Sequence, residues 1–337
     1  MRCGDSFSAR VFFAVLLMVA VCHTFPSQAQ NSTEDVHIQP RIQPPAPKEP
    51  EGDPSLRTHT KPMKVDVNLV LVPVTITDGG NRLVLGLQKD NFQVLEGKRP
   101  QAIQHFSSED APVSIGILLD TSGSMATKMD RAREAVAKFC DSANPEDEFF
   151  MITFSNEPRL VADFTPRVEE LESKLVGAQV EGETSLLDAI YMGITLMQEA
   201  KYSRKALLII SDGGDNHSRY TEAEVKSSIK EADVAIYTVG VYDRYFRTQE
   251  EQLGPELLSD VAELTGGQAF TLDNPNDLPA VVSRVGLALR NQYVLAYHPE
   301  NTPHDGKWHK IKIKLRISTK LAFLHVHAKA GYCASSE

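Results

Sequence analysis

The chain has 337 residues, 42% of them hydrophobic and 24% charged, with a formal net charge of −10. This is a globular composition with enough apolar material for a sizeable core and length for two domains. The acidic balance argues against nucleic acid or an anionic membrane surface as the main partner.

Residues 1–29 read as a cleaved export signal, with a retained anchor as the alternative. Arg2 and Arg10 precede or enter the apolar run VFFAVLLMVAVC (11–22), and Ser27-Gln28-Ala29 offers small residues at the positions a signal peptidase reads. The run is shorter than the roughly 18–20 residues of a spanning helix. Cleavage near Ala29 predicts a secreted or periplasmic mature protein without a transmembrane segment. Lipid attachment at Cys22 is disfavoured by the bulky Val21 before it. Residues 30–62 follow, with Pro40, Pro44, Pro45, Pro47, Pro50, Pro54 and Pro62 among polar residues. That composition predicts a disordered spacer, with a polyproline ligand as the alternative.

The pattern becomes β-rich over 63–109. VDVNLVLVPVTITD alternates with a period near two, a turn at Asp78-Gly79-Gly80-Asn81 follows, and RLVLGL, NFQVLEG and QAIQHFS read as short strands. Residues 292–332 are strand-like again: NQYVLAYHP, WHKIKIKLR and LAFLHVHAKA, followed by a short tail at 333–337. Each flank alone is marginal, whereas together they suffice for one β-sandwich interrupted by the middle of the chain. The pairing of 63–109 with 292–332 is the arrangement expected, two separate units being the alternative.

Residues 110–291 differ. VSIGILLD, EFFMITF, KALLIIS, VAIYTVGV and a weaker QAFTL are apolar, β-branched strands, and helical periodicity covers about 128–142, 166–176, 185–200, 221–233, 255–265 and 276–290. Continuous apolar strands spaced by helices predict an α/β fold with a doubly wound, mostly parallel sheet. Cys140 follows Met129, Ala132, Val136 and Phe139 at helical spacing and reads as core; a bridge to Cys333 stays open, and no CxxC pattern exists.

In such a sheet, ligands bind at the carboxyl ends of the strands. Asp120 ends one strand and is followed by Ser122 and Ser124; Asp212 ends another; Thr184 precedes a helix entered from the same edge. Taken singly, the acids form turns and the hydroxyls cap helices. Taken together, two carboxylates and three hydroxyls share one rim, and the loop itself contains nothing basic. Partly buried carboxylates require a compensating cation. An oxygen donor set with few carboxylates suits Mg²⁺ better than a calcium cage, Mn²⁺ and Ca²⁺ being the alternatives.

DTSGS at 120–124, Thr184 and SDG at 211–213 resemble the metal-ion-dependent adhesion site of von Willebrand factor type A (VWFA) domains. The resemblance covers about 112–290, and the flanks are similar to those of secreted bacterial proteins of the VWFA-related acidobacterial family. It implies a Rossmann-like domain over 110–291 in which Ser122, Ser124 and Thr184 are metal ligands. Asp120 and Asp212 would bind directly or through water, and an acidic residue of a partner would complete the coordination.

The leading expectation is therefore a non-enzymatic, metal-dependent adhesion module that captures a protein, or an anchored glycan. A second reading is an ion that only stabilises loops. A third is a hydrolase using Ser122 or Ser124, for which His217 is the one histidine near the rim. Asp215 and Asn216 read as a turn. The segment 241–255 offers Tyr242, Tyr245, Phe246 and Arg247 as partner contacts, with packing beneath a loop as the alternative. Trp308 reads as sheet packing, and His325 and His327 as surface residues of a strand.

Overall fold

The computed structural model describes residues 69–242, 249–300, 305–316 and 323–334, without the side chains of 249–253. The signal, the proline-rich segment, and Tyr245, Phe246 and Arg247 lie outside the described residues. The lead-in contributes β1 (Val70–Thr77), β2 (Phe92–Glu96), β3 (Arg99–Gln101) and β4 (Ile103–Ser107). The middle runs β5 (Ser114–Asp120), α1 (Met129–Asp141), β6 (Glu148–Phe154), β7 (Pro158–Thr165), α2 (Val168–Val176), α3 (Leu186–Leu196), β8 (Lys205–Ser211) and α4 (Glu222–Glu231). It continues through β9 (Ala235–Val241), α5 (Gln249–Thr265), β10 (Ala269–Leu272) and α6 (Leu278–Arg290). The end of the chain supplies β11 (Tyr293–Tyr297), β12 (Trp308–Leu315), β13 (His325–Ala328) and β14 (Gly331–Cys333).

The middle forms one six-stranded sheet in the order β10-β9-β8-β5-β6-β7, parallel except for β7. All seven residues of β5 are buried, as its unbroken apolar run requires of a strand covered on both faces. Ile115, Ile117 and Leu119 face α1, α2 and α6 through Met129, Val136, Leu171 and Val285. Leu118 faces α3, α4 and α5 through Ile190, Val225 and Val261. At Gly116 a Cβ would stand 2.3 Å from Phe150 and 2.5 Å from Leu207, so the sheet admits no side chain there. The edge strand β7 was not visible in the sequence, because Pro158, Arg159 and Asp163 interrupt its apolar pattern.

The two flanks interleave. One four-stranded sheet has the order β13-β1-β11-β4 and the other β14-β12-β2-β3. β1 pairs antiparallel with β11, setting Val72 against Leu295, and β2 pairs antiparallel with β12, setting Val94 against Ile313. Val72, Val74, Phe92, Val94, Leu295, Tyr297, Ile311 and Ile313 make their common core, a sandwich assembled from both ends of the chain. Lys310, Lys312 and Lys314 alternate outward with Ile311 and Ile313, the period-2 signature of a strand with one wet face. The segment RLVLGL is not a strand. Beyond one bridge from Leu83 to Thr77, its backbone bonds to a side chain, with Tyr293 Oη donating to Val84 O and accepting from Leu87 N. His327 is half-buried rather than a plain surface residue, within 2.9 Å of Thr77 Oγ1, and burial lowers its pKa. Cys140 and Cys333 are unbridged.

Buried Asp147 and half-buried Arg204 fix the crossings between sandwich and α/β layer. Asp147 accepts from Val113 N at 2.8 Å and Asn144 N at 2.9 Å, and meets Arg290 Nη2 at 2.6 Å. Arg204 donates to Ala111 O, Leu289 O and Gln292 Oε1. Residues entering β5 and leaving α6 are thereby clamped together. Removing one partner of a buried pair strands the other. Asp147→Ala should lower unfolding free energy by about 3 kcal/mol in denaturant titration.

Candidate functional site

The rim is made where β5 and β8, neighbours in the sheet, release their chains at the same edge. Register sets Leu119 against Ile210, which places Asp120 level with Ser211. Asp120 is fully buried; its Oδ1 accepts from Ser122 N at 2.8 Å and its Oδ2 from Ser211 Oγ at 2.5 Å. Burial, and then the neighbouring Asp212 carboxylate, push its pKa up to about 7 despite these hydrogen bonds. Asp212 is 1% exposed. The next residue, Gly213, has φ +78° and lies against the Gly254 backbone of α5, where a Cβ would approach to 2.8 Å.

Three loops are tied edge to edge. Gly123 N donates to Gly182 O at 3.0 Å and Glu181 N to Thr121 O at 3.0 Å, joining the serine loop to the segment before Thr184. Asn216 Oδ1 accepts from Thr184 N at 2.8 Å, while Asn216 N and His217 N donate to Thr184 O. Asp215 accepts from Leu187 N and Ser218 Oγ, and burial raises its pKa. Buried Asp188 gathers Arg219 N, Tyr220 N and the Arg219 side chain. Asp215 and Asn216 thus do more than turn the chain: they hold the Asp212 loop against Thr184.

The hydroxyls are not capping groups. Ser122 occupies an N-cap of a 3-10 turn and Ser185 the N-cap of α3, yet neither side chain makes a capping bond. Ser122 Oγ lies 3.0 Å from Ser124 Oγ. Thr184 is 5% exposed, and its hydroxyl makes no hydrogen bond among the described residues. These oxygens remain available to a ligand. Among the described residues, no group of three or more His, Cys, Asp or Glu side chains is placed to hold a metal, so an ion at this rim would rest largely on hydroxyls.

Two expectations need correction. The rim does hold a basic group: Lys128, 4% exposed, places Nζ 3.1 Å from Asp212 Oδ2. Tyr242 is fully buried, with its ring over Gly240 and its hydroxyl against Gly213, so it is a packing residue and not a surface contact. His217 is exposed, and its Nδ1 lies against the Glu183 carboxylate. Lys128 and Ser211 escaped sequence reading because each reaches an acid distant along the chain.

Residues 115–214 match the family model of the von Willebrand factor type A domain. That stretch runs from β5 to the loop after β8 of the six-stranded layer, and domains of that class typically serve as protein-interaction or adhesion modules. The chain is 28% identical over 145 residues to inter-alpha-trypsin inhibitor heavy chain H4 of Bos taurus, covering 38% of this chain and 16% of that one. Against the Homo sapiens H4 chain the identity is 26% over 141 residues, covering 38% and 15%. This chain thus spans about a sixth of the length of these curated relatives. Among solved structures, a von Willebrand factor type A protein from Catenulispora acidiphila aligns at TM-score 0.47 and 13% identity, covering 78% of this chain and 73% of that one. The vWF domain of the type V pili tip protein Mfa5 from Porphyromonas gingivalis aligns at TM-score 0.45 and 13% identity, covering 53% and 95%. No helix of the described residues is long and apolar enough to cross a membrane.

The raised pKa of Asp120 carries a sign. Its folded value exceeds the unfolded one, so this group stabilises the fold below about pH 4, and that contribution is lost as pH rises through about 7. In chelator, thermal unfolding of the wild type should lose stability across this window relative to Asp120→Asn. A constant difference between the two across pH 4–7 would assign the dependence elsewhere.

Proposed function

We propose that the chain is an exported, non-catalytic adhesion module that binds a protein partner through a divalent cation at this rim. The observation that carries the reading is a hydroxyl set, Ser122, Ser124 and Thr184, left without capping duties beside two buried acids. The donors fit a hard cation: all are oxygens, and Asp120, held by Ser122 N and Ser211 Oγ, is already fixed in place. Ser122, Ser124 and Thr184 would hold the ion, with Asp120 and Asp212 binding it directly or through water. Mg²⁺, when bound, supplies a Lewis-acidic position for an acidic side chain of the partner.

Asp120, Asp212 and Lys128 together carry one net negative charge when ionised, so a divalent ion leaves the rim positive and favours an anionic ligand. A polar cavity lined by Thr121, Asn156, Arg159, Gln179, Gly182 and His217 opens beside the serine loop and suits the remaining contact better than Tyr242 does. Against hydrolysis, Ser122 and Ser124 hydrogen-bond each other, and the nearby His217 is engaged with Glu183.

Calorimetry on the full chain should give one Mg²⁺ per molecule. Asp120→Ala should abolish that heat, and Thr184→Ala should weaken binding at least about tenfold, with circular dichroism unchanged. Absence of Mg²⁺ and Mn²⁺ binding by the folded wild type would overturn the reading. Partner capture from the extracellular fraction should be lost in EDTA and restored by Mg²⁺. Capture that survives EDTA would leave the ion a loop-stabilising role.

A further inference from the structure

Lys128 is in an unfavourable place unless the rim needs it. It stands at the N-cap of α1, where the helix dipole favours anions and disfavours cations. Its side chain is 5% exposed, and a buried ammonium is costly unless paired. Backbone bonds from Lys128 N to Met125 O and from Ala132 N to Lys128 O fix where its stem begins. From there Nζ reaches Asp212 Oδ2 at 3.1 Å, on a carboxylate that is itself 2% exposed.

The two acids are therefore treated differently. Asp120 receives neutral donors, the Ser122 amide and the Ser211 hydroxyl, whereas Asp212 receives a full positive charge. The geometry points to Lys128 as a tethered counter-cation of the rim, an inference that rests on the metal reading above. It neutralises Asp212 when no metal is present, and so lets the empty rim stay folded. It opposes the arriving divalent ion and keeps its affinity moderate. Once the ion is bound, the ammonium remains as a positive charge beside it, and this charge helps to draw the partner's carboxylate. Lys128 is thus a positioning and affinity-setting residue, held next to the ligands without being one of them.

The test uses the full chain with Mg²⁺ as the probe. Lys128→Met should melt lower than wild type in EDTA, bind Mg²⁺ at least about tenfold more tightly by calorimetry, and gain more melting temperature from Mg²⁺. Lys128→Arg, which keeps the charge, should return both readouts toward wild type. In EDTA the double variant Lys128→Met/Asp212→Asn, with both charges removed, should recover the melting temperature that Lys128→Met loses. If Lys128→Met does not fold in EDTA, recovery of its fold by Mg²⁺ supports the inference, and failure to recover while the double variant folds overturns it. Wild-type Mg²⁺ binding with equal or weaker binding by folded Lys128→Met overturns this inference and leaves the metal reading standing. No Mg²⁺ binding by either folded protein removes both. Binding by Lys128→Met alone would overturn the metal reading for the native chain and, with it, the affinity-setting role of Lys128.

Discussion

Two carboxylates emerging from adjacent, fully buried strands impose the constraint that organises this molecule. Asp120 and Asp212 leave β5 and β8 at one edge of the sheet, each almost without solvent, close enough that one raises the pKa of the other. Such a pair tolerates burial only when its oxygens are satisfied and its charge is offset. The surroundings are arranged accordingly: an amide and a hydroxyl on Asp120, an ammonium on Asp212, and a glycine with positive φ to turn the chain away.

The rest of the domain serves as a frame for that edge. The apolar strands leave β5 no freedom to slip, since helices cover both of its faces and Gly116 permits no added carbon against Phe150. Backbone ties between the serine loop and the Gly182 segment, and from Asn216 to Thr184, link three excursions of the chain into one surface. These ties fix the rim's side chains before any ligand arrives. The sandwich lies at the crossings into β5 and out of α6, where Asp147 with Arg290 and the carbonyl-binding Arg204 hold the chain ends of the α/β layer.

The relatives share the domain and not the whole protein. Similarity to the inter-alpha-trypsin inhibitor heavy chains is confined to a minor part of each of them. Beside that domain this chain carries a second body built from both flanks: strands from the two ends alternate in the β13-β1-β11-β4 sheet, and the β14-β12-β2-β3 sheet joins a pair from each end.

Much of this was legible in the sequence, for a local reason. Apolar β-branched runs and helical periodicity locate β5, β6, β8, β9 and the α-helices within a few residues, apart from α5, which begins at Gln249 and not near 255, because burial on both faces and amphipathic spacing are written along the chain itself. The acids at strand ends and the DTSGS loop were equally visible. β7 was not, since an edge strand with Pro158 and Asp163 carries no clean alternation. The opposite error, reading RLVLGL as a strand, arose because beyond its single bridge to β1 the backbone of Val84 and Leu87 bonds to the Tyr293 hydroxyl, some two hundred residues away. The charge state of the rim belongs to the same category. The proximity of Lys128 to Asp212, of Ser211 to Asp120 and of Tyr242 to Gly213 follows from register and helix packing, which place residues together irrespective of their separation along the chain. The acids and hydroxyls of the rim were therefore legible in the sequence, and the ammonium beside them was decided by the tertiary fold.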